Sequence, residues 1–83
     1  MVSVSTKDGR TYNVSAVSDR LMLVDDGRVT ALAIVATDDG CIKVIGSDRQ
    51  GIRYSVVAQY RTTLSAVAND KNLVEKIIKS TIK

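Results

Sequence analysis

Histidine, tryptophan, phenylalanine and proline are all missing from this 83-residue sequence, and cysteine occurs once. Without histidine, the side chain that most often carries protons near neutral pH is gone. No imidazole is present to activate a serine or a thiol, so Cys41 reads as a small buried hydrophobe and not as a nucleophile. A Ser–Lys pair is the one nucleophilic arrangement the composition allows, and no spacing supports it. A lone cysteine cannot close a disulfide within the chain. One thiol without histidine also falls short of the four ligands of a structural zinc site. The expectation is a protein that is not an enzyme, holds no metal and uses no cofactor.

Long apolar runs are equally scarce. The longest, residues 31–36, is far short of the ~20 residues of a membrane helix, and the first residues, Met-Val-Ser-Val-Ser-Thr-Lys, lack the basic and apolar regions of a signal peptide. No membrane partner is expected, and a cytoplasmic location with Cys41 reduced follows. Charge of one sign is also modest, with 12 Lys and Arg against 9 Asp and Glu for a net +3. That excess is too small to argue for nucleic acid by itself.

What is present is a hydrophobic content of 45%, which excludes disorder, and a length that supports one domain, 1–83. So small a core gains from a partner subunit, and self-association is the staple left open. Val2, Val4, Tyr12 and Val14 alternate with polar residues around Lys7-Asp8-Gly9-Arg10, which predicts a β-hairpin. Residues 14–25 fit two readings. Val14, Val17, Leu21 and Val24 recur at helical spacing, while Leu21-Met22-Leu23-Val24 before Asp25-Asp26-Gly27 fits a strand entering a hairpin. Residues 29–37 form the strongest strand, turned by Asp38-Asp39-Gly40 into a second strand over 41–45. Leu32, Ile34, Ile42 and Val44 mark a face suited to packed helices. Ala31, Ala33 and Val35 mark an opposite face where another layer, such as a second copy, approaches closely. Ile52, Val56, Tyr60, Leu64 and Val67 then step along one helical face, and Leu73, Val74, Ile77, Ile78 and Ile82 mark a final amphipathic helix. Asn69 and Asp70 interrupt the two and supply a cap. No internal repeat is visible. The fold expected is α+β: an antiparallel sheet of four to five hairpin-linked strands with two C-terminal helices on one face.

Three constellations bear on binding. Residues 46–51, Gly-Ser-Asp-Arg-Gln-Gly, follow a strand and precede the expected helix, but lack the Gly-Lys-Ser/Thr of a phosphate loop. Arg49 and Arg53 add an anion preference there. The carboxylate pairs Asp25-Asp26 and Asp38-Asp39 both stand directly before Gly, where aspartate serves turns, and neither offers a calcium loop's spaced ligands. Lys71, Lys76, Lys79 and Lys83, opposed by Glu75, make the last helix basic, as a solvated face or as a contact for phosphates or an acidic protein patch.

The stretch from Asp26 to Asp48, with the helix expected after it, resembles short accessory proteins of phages and prophages. Those share a helix ending near Gly, an apolar strand, an Asp-Gly hairpin, a second strand and a closing helix. The resemblance spans roughly residues 15–67 and implies a helix over 14–25. Similar proteins often bind and block host machinery, including defence systems. The expectation is therefore a dimeric interaction protein that occludes a host protein. Arg49, Arg53, Lys76, Lys79 and Lys83 are its candidate binding residues, and Ala31, Ala33 and Val35 its self-association face. The alternative is an anion binder that holds nucleic acid or sequesters a small nucleotide.

Overall fold

In the computed structural model, which describes residues 2–47 and 52–82, six strands follow one another as a simple antiparallel meander. They are β1 (Val2–Ser5), β2 (Thr11–Ser18), β3 (Leu21–Asp25), β4 (Thr30–Ala36), β5 (Ile42–Ser47) and β6 (Tyr54–Tyr60). Two helices, α1 (Leu64–Ala68) and α2 (Lys71–Thr81), close the chain. The α+β class and the two C-terminal helices stand as expected. The sheet has six strands, not four or five, because two segments with a helical period are strands.

The first is residues 14–25, where the strand reading holds and the implied helix does not. Val14 and Val24 are buried opposite each other on β2 and β3. Between the strands, the Ser18 hydroxyl accepts the Arg20 N–H at 3.1 Å. That local bond favours a turn over a helix interior. The second is residues 52–60. Tyr54-Ser-Val-Val-Ala-Gln-Tyr60 is rich in β-branched and aromatic side chains, and it pairs along β5 as an edge strand. The four-residue spacing there is a coincidence. Val56 lies opposite Ile45 and Tyr60 opposite Ile42, on different faces of the sheet. Only Leu64 and Val67 of the expected stripe are helical, buried on the short α1.

Two of the turns are the same device. Thr6-Lys-Asp-Gly-Arg10 and Thr37-Asp-Asp-Gly-Cys41 each close a hairpin with a Thr N–H donated to the carbonyl four residues on. In each, the Thr hydroxyl donates to the Asp carboxylate, which also accepts the N–H following the glycine. Gly9 and Gly40, at φ +84° and +81°, occupy the left-handed position that a three-residue hairpin loop requires. The five-residue Thr-x-Asp-Gly-x turn is thus an internal repeat, although the sequence shows none at first reading.

The core lies on one face of the sheet. Val4, Tyr12, Val14, Met22, Val24, Leu32, Ile34, Ile42 and Val44 point to it from the strands, and Leu64, Val67, Val74, Ile77 and Ile78 meet them from the helices. Thr63 caps α1 by accepting the Ala66 N–H, and Asp70 caps α2 by accepting the N–H groups of Asn72 and Leu73. Among the described residues no helix is long and apolar enough to cross a membrane.

Candidate interaction surfaces

Strand pairing also fixes the other face of the sheet, because directly opposed residues point the same way. One row across it runs Ser15, Leu23, Ala33, Ile45, Val56. A neighbouring row runs Ser18, Leu21, Val35, Lys43, Gln59. On the opposite side of the first row, Asn13 faces Asp25, which faces Thr30, and Ser47 faces Tyr54. Leu21, Leu23, Ala33, Val35 and Ile45 are half-buried by their neighbours, whereas Val56 and Tyr54 remain 48% and 57% exposed. Both helices pack on the opposite side, so no described element of the chain covers this apolar area.

Ala33 and Val35 lie on this open face as the alternation of β4 predicts, but Ala31 does not join them. Leu32 pairs with Val24 and Thr30 with Asp25, which leaves Ala31 as the extra residue of a β-bulge. It packs against the helix-side core instead. Two further bulges, at Val17 and Val57, break the alternation of β2 and β6. A bulge reverses side-chain parity downstream, and nothing in the hydrophobic pattern announces it.

The basic residues do not converge. Arg49 and Lys83 lie outside the described residues. Arg53 is exposed just before β6, and the element that follows it is a strand and not the expected helix. Of the 46–51 connector, Gly46 and Ser47 end β5, and the Ser47 hydroxyl donates to the Thr30 carbonyl at 3.3 Å instead of capping a helix. Lys76 and Lys79 stand exposed on α2 beside a shallow depression shared with Asn72, Glu75 and Ser80, in which Arg53 has no part. Lys79 approaches Glu75 at 4.0 Å, one helical turn away.

Two arginines that the sequence did not single out do share a site. Arg10 and Arg28 flank a groove of about 770 Å³ on the helix side, floored by Ala31, Leu32 and Val57 and closed by Thr81 and Ile82. Gly46 lies in this floor, where an added Cβ would press on Val57 Cγ1 at 3.2 Å. Contact with the Tyr12 side chain, and then the charge of Asp8, raises the Arg10 pKa. Asp26 also lines the groove, its pKa lowered by the N–H groups of Val29 and then Arg28. Each arginine directly follows an Asp-Gly, and alternate turns of a meander fall at one sheet end.

Asp25, Asp26 and Asp39 do the turn work expected of the carboxylate pairs. Asp25 accepts the Gly27 N–H at 2.9 Å, and Asp26 accepts those of Arg28 and Val29 at 2.9 and 3.0 Å. Asp38 pairs with Arg20 at 2.9 Å on the surface. The thiol-bearing Cys41 is half-buried in the turn before β5. Among the described residues no polar or charged side chain is buried, and no three potential metal ligands come together. Comparison of the chain with family models, curated proteins and solved structures finds no match.

Proposed function

We propose that this chain is a small non-enzymatic interaction protein of the phage accessory or inhibitor type, which acts in the cytoplasm by covering part of a host protein, such as a defence-system component. The observation that carries this reading is the uncovered apolar half of the sheet. Leu21, Leu23, Val35, Ile45 and Val56 form one continuous surface, and a surface of that kind on a small protein marks a place where another protein sits. Arg53, Lys76 and Lys79 provide basic contacts outside it for an acidic partner.

A photo-crosslinking side chain placed at Leu23 or Ile45, and separately at Lys76, tests the reading in cells that express the chain. Protein adducts from the sheet positions are expected. A chain that forms no protein adduct from any of the three positions is not an interaction protein.

A second reading has its own observation, the groove between Arg10 and Arg28. Its volume suits a small anionic ligand such as a nucleotide. Binding there would raise the melting temperature in proportion to the logarithm of ligand concentration, and Arg28→Ala would abolish the rise. A melting temperature unmoved by any nucleotide or phosphate removes this reading.

A further inference from the structure

We infer that the layer covering the open sheet face is a second copy of this chain, packed face to face about a two-fold axis. The inference rests on the reading above that a protein sits on this face, and assigns the face to a second copy, so that a host protein would meet the surface outside it. Two observations support it, one of apolar pattern and one of charge.

Leu21, Leu23, Ala33, Val35, Ile45 and Val56 share the open face, and no described helix packs on it. An apolar sheet face of this kind suits a second sheet packed at about 10 Å.

The charges on that face fit themselves. Among the described strand positions that point to it, only Lys43 and Asp25 are charged. Relative to Ala33, Lys43 lies one strand toward β6 and one row along. Asp25 lies one strand toward β2 and one row the opposite way. The line joining them therefore passes through Ala33. A two-fold axis in the plane of contact, perpendicular to that line at Ala33, places each Lys43 over the Asp25 of the other copy and forms the pair twice. The strands of the two sheets then cross steeply, near the orthogonal class of sheet packing. Leu23 and Ile45 fill the contact around Ala33. Asp25 Oδ1 accepts the Gly27 N–H, which leaves its second oxygen for the lysine.

The test is native mass spectrometry and sedimentation equilibrium on the purified full chain at micromolar concentration. The wild type is expected as a dimer, and Val35→Glu as a monomer with an unchanged far-ultraviolet circular dichroism spectrum. Lys43→Gln and Asp25→Asn, the latter keeping the turn acceptor, should each weaken the dimer about fivefold, two exposed-to-half-exposed ion pairs being lost in each. The double variant should be no weaker than either single one. A monomeric wild type overturns the inference, while crosslinks from the sheet face to other proteins would keep the interaction reading intact. A dimer that survives both Val35→Glu and Leu23→Glu overturns the choice of face. Additive losses in the double variant overturn the two-fold pairing.

Discussion

The open face of the sheet divides into two unlike halves. On β1 and β2 it carries Ser3, Ser5, Thr11, Asn13 and Ser15, and the side chains bond across strands, Ser3 to Asn13 and Ser5 to Thr11. On β3 to β6 the same pleat carries Leu21, Leu23, Ala33, Val35, Ile45 and Val56. Both halves back onto the same helix-covered core, so the stability of the fold does not explain the contrast. A hydroxyl ladder is adequate for a solvated face, and the first hairpin shows that the chain can make one. Large aliphatic residues on the second half are what the proposed contact with another chain would use.

Comparing substitutions on the two faces of a single strand breaks or upholds this division. The largest effect belongs to the covered side. Ile34→Ala, at a fully buried position, should lower unfolding free energy by about 2–5 kcal/mol in urea denaturation. Ile45→Ala on the open face, measured in a Val35→Glu background, should lower it by about 1 kcal/mol or less. Equal losses would show that the open face is part of the folding core. Next, Asp70→Ala removes the cap of α2 and should destabilise by about 1 kcal/mol. Hydrogen exchange should quicken first in α2 and not in β2 and β3. Ser15→Leu extends the apolar half by one position and should leave stability within about 0.5 kcal/mol, while self-association measured by sedimentation strengthens.

The smallest effect lies outside both faces, in the turns. Asp8 is held below its usual pKa of 3.8 by the Thr6 hydroxyl and then the Arg10 N–H. Asp39 is held below it by Thr37 and then Cys41, and Asp26 by the Val29 and Arg28 N–H groups. Carboxyls with a lowered folded pKa stabilise the fold above the unfolded value and lose that contribution as pH falls through the folded one. Thermal melting should therefore be level from neutral pH down to about 5, then decline below 3.8. A decline that begins near neutrality would point to groups other than these aspartates.

Legibility in the sequence followed the physics of each element. The hairpin around Gly9, the strands around Gly40 and the capped final helix were readable because alternation, glycine and Asp70 each act over a few residues. The covered face carrying Leu32, Ile34, Ile42 and Val44 was readable for the same reason. The strand β6 was not, because Ile52, Val56, Tyr60 and Leu64 mimic a helical period, although the bulge at Val57 puts Val56 and Tyr60 on different faces of the sheet. Ala31 was misplaced by another bulge. The groove between Arg10 and Arg28 was hidden because it depends on two turns meeting at one end of a sheet. The basic set was legible only as composition, since Arg53 and the α2 lysines share no cavity wall.

The order of the elements along the chain has a consequence for how the protein is made. Every strand pairs only with its neighbour in sequence, so each hairpin can close as it leaves the ribosome, with little loop entropy to overcome. The cover for that sheet is synthesised after it. Until Leu64, Val67, Val74, Ile77 and Ile78 emerge, the nascent sheet presents two bare aliphatic surfaces instead of one. A ribosome that pauses within the last turns of α2 would therefore hold a well-paired but unprotected sheet, a form suited to capture by a chaperone or by its own sister chains on the same message.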